Sequence, residues 1–565
     1  MTVALVLVWG VCVLRLSKLQ IADRQMYQIL ASDQHDMQAK IQPKRGRIFI
    51  RDKSDGQLYP LASNREAWSV YAVPKNMSDP VRVAHELSPV LGITDVDLIA
   101  KLTKSKDDPY EFLAKDVGYD TVLKIKDLHL EGIGFNTREA RLYPEKNMGG
   151  QVVGLVTADE QDNLVGRYGI ESSHQDYLAG RPGTLATEKD ATGRRIIFAE
   201  QKFREAVDGT DLVLTLDRGV QYEACAKIRQ GVLDYQAESG TVVVMDPKTG
   251  AILAMCSYPD FDPADFREVT DVSVFNNPAV FTSYEPGSVF KAVTMASGLE
   301  ANKVNPKTVY EDKGVEKIDD FEIKNSDGKA NGLQTMQQVM EKSLNTGTIF
   351  VQRQLGKPAF REYVKKFGFG QKTELGLKPE SAGDISSLDK KGDVFAATAS
   401  FGQGIMVTPI QLVAAYGALA NQGKLMQPHI VSEMIYGDGR RETVQPEVRS
   451  QPISPRASRL ITGMLISAVE TGHGQKAAVP GYWVAAKTGT AQVAKKDGVG
   501  YEEGRIIATM LGYAPADDPK FVMLVKLDNP KAAAWAETSA APIFGDLAAF
   551  ILRYYDIAPD REGQY

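Results

Sequence analysis

The chain has 565 residues, 43% apolar and 24% charged, an ordinary globular composition long enough for two or more domains. A net charge of −6 argues against nucleic acid as the main partner. Three cysteines are too few for a disulfide framework and form no metal-type pair, and the six histidines lack ligand spacing, so the composition points away from a metal enzyme.

Residues 3–14 form an uninterrupted apolar run that Arg15 ends. About 20 apolar residues span a bilayer, so the run is short, yet it reads as a membrane anchor within residues 1–20. A signal peptide would need a small-residue cleavage site, and none follows closely. Arg15, Lys18 and Arg24 lie after the run and nothing basic precedes it. Taken literally, the positive-inside rule would then leave the bulk in the cytoplasm; the expectation is that a basic cytoplasmic stub is missing from the start.

Residues 17–42 read as helical and polar. From there to about 200, a strand-like piece at 68–73 alternates with helical ones at 80–91 and 95–103, between Gly- and charge-rich loops. Nothing there has the makings of catalysis, and an elongated, mixed α/β scaffolding domain over 21–205 is the reading. A second domain, 206–558, opens with a strand at 212–216 and a helix at 218–236. Two apolar runs, 241–245 and 251–255, flank the turn Asp246-Pro247-Lys248-Thr249-Gly250 as a hairpin. Residues 288–475 read as mainly helical, including 338–343, 358–367 and 409–421. Strands follow at 482–493, 507–513 and 521–527, and a helix at 543–555 closes the domain. Five mostly antiparallel strands, split two and three around a helical insert, predict an α+β sandwich.

The stretch Tyr284-Glu285-Pro286-Gly287-Ser288-Val289-Phe290-Lys291 carries the chemistry. Pro286-Gly287 marks a turn, Ser288 suits a helix start, and Ser288 and Lys291 fall one turn apart on one face. A serine hydroxyl needs an adjacent base, and a lysine can be that base once desolvation lowers its pKa. Two further Ser-x-x-Lys copies, at Ser326 and Ser387, sit in polar, turn-rich text and read as solvated loops. Ser343-Leu344-Asn345 is the one Ser-x-Asn in the chain; alone it is a cap or turn, and functionally a proton-relaying serine beside a substrate-holding amide. In Lys487-Thr488-Gly489-Thr490, a glycine inside a strand marks close approach of a ligand or backbone, and a free edge there could pair with a peptide. The Lys248-Thr249-Gly250 copy is explained by its hairpin turn.

Together, Ser288-x-x-Lys291, Ser343-x-Asn345 and Lys487-Thr488-Gly489 resemble the ordered triple of penicillin-binding proteins and class A β-lactamases. Over nearly its whole length the chain resembles the class B penicillin-binding proteins, the peptidoglycan D,D-transpeptidases. Arg45-Gly46-Arg47-Ile48 resembles the opening signature of their pedestal domain, though the Asp-Arg pair usually close behind is displaced here. Tyr168-Gly169-Ile170-Glu171 resembles that domain's return segment. Ser400-Phe401-Gly402-Gln403-Gly404, with Thr408-Pro409-Ile410-Gln411-Leu412, matches a stretch before the third motif. Glu285-Pro286-Gly287-Ser288 looks more like the division (septal) branch than the elongation branch.

The resemblance implies a five-stranded transpeptidase sheet with helices on both faces, behind a pedestal and a single-pass anchor in the bacterial inner membrane, with catalysis outside the cytoplasm. It implies Ser288 as nucleophile, Lys291 as base and Ser343 as proton relay. Asn345, Lys487, Thr488, Gly489 and Thr490 would bind substrate, with no metal or cofactor. The implied partners are D-Ala-D-Ala stem peptides, β-lactams, a membrane-embedded glycan polymerase and other division proteins. The rivals are a β-lactamase or D,D-carboxypeptidase, a non-catalytic sensor, and a division scaffold. Class A β-lactamases place Asp where this chain has Leu344.

Overall fold

The computed structural model of the chain describes residues 9, 36–146, 148–159, 163–188, 202–495 and 500–561. The predicted anchor run at 3–14 lies outside them except for Trp9, and no helix among the described residues is long and apolar enough to cross a membrane.

The two early and three late apolar runs assemble one sheet, in the order Ile252–Tyr258, Ser239–Met245, Phe521–Asp528, Tyr501–Ala514 and Ala485–Ala494. Every neighbouring pair is antiparallel. Because successive side chains alternate, the sheet buries two different sets. Val242, Val244, Met510, Met523 and Val525 pack with Ile228 of the helix Arg218–Asp234 and with Phe544, Leu547 and Ile551 of the helix Ala540–Tyr554. On the opposite face, Gly417 of the helix Pro409–Ala420 abuts Met245, and Thr462 of the helix Pro455–Glu470 shares a 2.8 Å hydrogen bond with the Tyr513 hydroxyl. Each buried Val or Leu contributes ~1.5–3 kcal/mol, so this two-sided burial outweighs the net gain of the ladder hydrogen bonds.

Two of the cysteines pair. Cys225 and Cys256, 5.3 Å apart at Cα, form a disulfide between the helix Arg218–Asp234 and the first strand of the sheet. One bridge is not a framework, and no spacing rule reveals it.

The chain divides into two compact units, Met1–Gly46 with Asp176–Thr210, and Arg47–Gln175 with Asp211–Tyr565. In the first, Asp36–Ile41, Gly183–Glu188 and Lys202–Arg204 form an antiparallel sheet. The end of the predicted 17–42 helix is therefore strand, and its earlier part lies outside the described residues. Pairing with a partner some 150 residues away decides those six residues, which local propensity cannot anticipate. Gly46 is obligatory here: a Cβ would sit 2.0 Å from the Thr210 carbonyl oxygen.

The second unit holds a seven-stranded sheet around Asp211–Asp217, which runs parallel to Ile48–Arg51 and antiparallel to Val431–Ile435. Leu58–Ala72 continues it and pairs with both Glu111–Val117 and Ile133–Leu142. The helices Pro80–Leu91, capped by Asp79, and Asp95–Thr103, capped by Thr94, cover Val70, Leu113 and Ile125 with Leu87 and Leu98. Glu171 is fully buried and accepts a 2.7 Å hydrogen bond from Arg141 Nε. Within 288–475, the expectation of mainly helix needs correcting. Short antiparallel pairs interrupt it, among them Val309–Asp312 with Gly332–Thr335, the hairpin Val315–Ile318 with Phe321–Lys324 that this pair encloses, and Val431–Ile435 with Arg441–Thr443. Strands of this length are too short for periodicity to register.

Candidate active site

Gly287, at φ 60°, turns the chain into a 3₁₀ turn, Gly287–Phe290, which continues as the helix Lys291–Glu300. Ser288 is thus inside the turn and not the helix cap its residue type suggests; Pro286 holds that position. The Lys291 N–H bonds back to the Ser288 carbonyl, which sets the two side chains one turn apart. Two contacts pin the turn. Tyr416 donates a 2.7 Å hydrogen bond to the Val289 carbonyl, and Gly287 N–H donates to the Gly402 carbonyl at 3.0 Å. A Cβ on Gly402 would lie 2.3 Å from Gly287 O, which explains the glycine of the Ser400-Phe401-Gly402 stretch.

Lys291 is fully buried. Its Nζ donates to the Ser343 carbonyl at 2.5 Å and lies 3.2 Å from the Ser343 hydroxyl. Burial, reinforced by the charge of Lys487, drives its pKa well below the ordinary 10.5. A neutral amine so placed has a lone pair with which to accept a proton. Ser343 joins the helices Met336–Glu341 and Asn345–Leu355 with φ at 56°, a left-handed conformation that a serine adopts only where its surroundings impose it. Asn345 opens the second helix and donates from Nδ2 to the Lys324 carbonyl at 2.8 Å.

The Lys487-Thr488-Gly489-Thr490 segment lies on Ala485–Ala494, the edge strand that sequence anticipates. Lys487 is buried and its Nζ approaches the Thr488 carbonyl at 3.3 Å. Burial pushes its pKa down to about 7, opposed by the Glu537 carboxylate. At Gly489 the close approach is to the turn that carries Ser288: a Cβ would lie 3.0 Å from Val289 Cγ1 and 3.1 Å from the Pro286 carbonyl oxygen. Thr490 Oγ1 accepts from the Ala536 N–H at 3.2 Å.

Ser288, Ser343, Asn345, Thr488 and Thr490 all line one cleft of about 740 Å³. Sequence reasoning missed several of its other walls. His473 and Glu537 pair at 3.2 Å on its rim, beside Trp535. Behind the cleft, Glu285 ties the Gly287–Phe290 turn to two neighbours, accepting from Gly404 N–H at 2.9 Å and the Tyr501 hydroxyl at 3.1 Å. No local pattern marks these residues, since their partners lie over a hundred positions away or come from loops. Of the repeated motifs, Lys248-Thr249-Gly250 is the hairpin turn expected, with Gly250 N–H bonded to Asp246 O. Ser387 lies in a 3₁₀ turn, Ser386–Asp389, that buries Leu388, rather than in a solvated loop. The turn around Ser326 is solvent-facing as expected but also lines the cleft.

Residues 240–549 match the penicillin binding protein transpeptidase domain, and residues 40–214 match the penicillin-binding protein dimerisation domain. The chain is 36% identical to stage V sporulation protein D of Bacillus subtilis, over 96% of this chain and 84% of that protein. It is 29% identical to peptidoglycan D,D-transpeptidase FtsI of Escherichia coli, covering 91% and 84% of the two. Penicillin binding protein 3 of Mycobacterium tuberculosis, in complex with aztreonam, superposes with a TM-score of 0.70 at 26% identity, covering 93% and 98% of the two chains. Penicillin binding protein 2X of Streptococcus thermophilus shares the fold, with a TM-score of 0.77 at 23% identity, covering 92% of this chain and 81% of that one. With its transpeptidase domain of α+β fold preceded by a dimerisation domain, the chain belongs to the penicillin-binding protein transpeptidase family.

Proposed function

We propose that this chain is a serine-type peptidoglycan D,D-transpeptidase that cross-links stem peptides through an acyl-enzyme. Ser288 attacks the carbonyl between the last two D-alanines while neutral Lys291 takes its proton. The backbone N–H groups of Ser288 and Thr490 stabilise the oxyanion, each donor being worth ~3 kcal/mol. Ser343 passes a proton to the departing D-alanine. Asn345 holds the peptide amide, Lys487 with Thr488 and Thr490 binds the terminal carboxylate, and Gly489 lets the catalytic turn lie against the strand. The amine of a neighbouring strand then resolves the ester and forms the cross-link. β-Lactams acylate the same serine because they present a strained amide in the same pose.

The observation that carries this reading is the buried amine of Lys291 against Ser343, in a turn whose Ser288 opens onto the cleft. The relatives named FtsI and the Glu285-Pro286-Gly287-Ser288 stretch favour septal wall synthesis. The domains fall at 1–20 for the anchor, 21–205 for the pedestal and 206–558 for the transpeptidase. A single-pass anchor in the inner membrane, with catalysis outside the cytoplasm, accords with the Cys225–Cys256 bridge, because disulfides persist in oxidising compartments. A membrane-embedded glycan polymerase and other division proteins are its expected partners. The test is reconstitution with lipid-linked peptidoglycan strands. Cross-links from the wild type and none from S288A support the assignment, whereas rapid turnover of nitrocefin would favour a β-lactamase.

A further inference from the structure

Beside the three motifs lies a buried carboxylate that no motif contains. Asp312 is 1% exposed and, among the described residues, has no cationic partner. It is held by hydrogen bonds alone. Oδ1 accepts from Gly314 N–H at 2.9 Å, Asn325 Nδ2 at 3.0 Å and the Thr346 hydroxyl at 2.8 Å. Oδ2 accepts from Asn325 Nδ2 at 2.9 Å, Asn331 N–H at 3.1 Å and Asn331 Nδ2 at 2.8 Å. Burial pushes this carboxyl up, and the bonds from Gly314, Asn331, Thr346 and Asn325 outweigh it and hold it below its usual range. A charged group this deep is expensive to keep unless every lone pair is used.

What those bonds join is informative. Asn325 and Thr346 are themselves buried, and the Thr346 N–H donates to Asn325 Oδ1 at 3.2 Å. Thr346 directly follows Asn345 on the first turn of its helix, and Asn325 directly follows Lys324, whose carbonyl receives the Asn345 amide. Lys324, Asn325 and Asn345 all line the cleft. One carboxylate therefore locks both the residue that orients the Asn345 side chain and the helix turn that carries it.

We propose that Asp312 is a positioning residue for substrate recognition, acting through Asn325 and Thr346 to fix the Asn345 amide against the Lys324 carbonyl. With one Nδ2 hydrogen committed there, the remaining donor and the amide oxygen stay aimed at an amide of the bound peptide. The inference rests on the transpeptidase reading above, in which Asn345 holds that amide.

The test compares acylation of the full chain by benzylpenicillin, which carries an acylamide side chain, with acylation by 6-aminopenicillanic acid, which lacks it. Wild type, N345A, D312N, the double variant D312N/N345A, T346V and T346S are measured, with thermal melting of each. The expected result is a loss of about 10- to 100-fold in the second-order rate for D312N and T346V with benzylpenicillin. The loss shrinks to within about threefold for 6-aminopenicillanic acid, T346S keeps the wild-type rate, and D312N adds nothing on the N345A background. Equal losses with both β-lactams, additivity with N345A, or an unchanged rate in T346V would overturn the proposal. Should D312N fail to fold, T346V, which removes one hydroxyl at constant volume, carries the same comparison. Failure of the wild type to be acylated at Ser288 would instead refute the transpeptidase reading itself.

Discussion

The Lys291 amine lies 2.5 Å from the Ser343 carbonyl oxygen and 3.2 Å from its hydroxyl, so the first and second motifs meet at one buried nitrogen. Fifty-two positions separate the two residues in the chain. The contact exists because Ser343 adopts a left-handed backbone between two helices, turning both of its oxygens toward the lysine.

Lys291→Met should abolish base catalysis while leaving the fold intact. Positioned acid–base groups contribute roughly 10²–10⁴-fold, so acylation by a fluorescent penicillin should slow by that order. Stability should move the other way. Lys291 titrates far below 10.5 in the native state, so between those pH values the unfolded chain binds more protons and wild-type stability rises with pH. Below the native pKa the penalty is complete, and above 10.5 it is absent. Melting scans from pH 7 to 10 should therefore show a smaller rise for K291M than for wild type. Identical slopes would contradict a neutral buried lysine.

The pH profile of acylation should be bell-shaped, with Lys291 needing to be neutral and Lys487 needing to be charged. The alkaline limb should fall near pH 7, where burial places Lys487. Glu537 raises that value, so Glu537→Gln should shift the alkaline limb to lower pH. Lys487 in turn depresses Lys291, so Lys487→Met should move the acidic limb upward as well as weakening binding. Stopped-flow acylation from pH 5 to 9 reads both limbs.

Much of this site is legible in the text, and the reason is geometric. Ser288 and Lys291 are one turn apart, Ser343 and Asn345 share one junction, and Lys487 to Thr490 lie on one strand, so each motif is local and its spacing is its signature. The five strands are legible for the same reason: each is a run of apolar residues long enough to count. Asp312, Asn325, Glu537 and Glu285 are not, because their roles arise from partners tens or hundreds of positions away. The strand Asp36–Ile41 ends a polar stretch that reads as helix, a local preference that a distant ladder overrides.

Gly489→Ala should damage the site without touching a reacting group. The added methyl would press on Val289 and the Pro286 carbonyl at 3.0–3.1 Å, and the turn that carries Ser288 must give way. Overpacking of this kind costs ~1–3 kcal/mol. The variant should melt earlier and acylate more slowly, whereas Gly463→Ala, on a helix where nothing lies near the added methyl, should leave acylation unchanged.

Replacing Cys225 and Cys256 by serine should cost ~3–4 kcal/mol for a loop of this size, because the bridge spans 31 positions and restricts the unfolded chain. Denaturant unfolding with and without reductant measures it. A reductant effect on wild type and none on the double variant is the expected pattern.

The most direct measurement is mass spectrometry of the intact protein after brief exposure to benzylpenicillin, followed by peptide mapping of the adduct. One equivalent of added mass, located on Ser288 and absent in Ser288→Ala, is what the account predicts. An adduct on any other residue, or an undiminished one in Ser288→Ala, would contradict it.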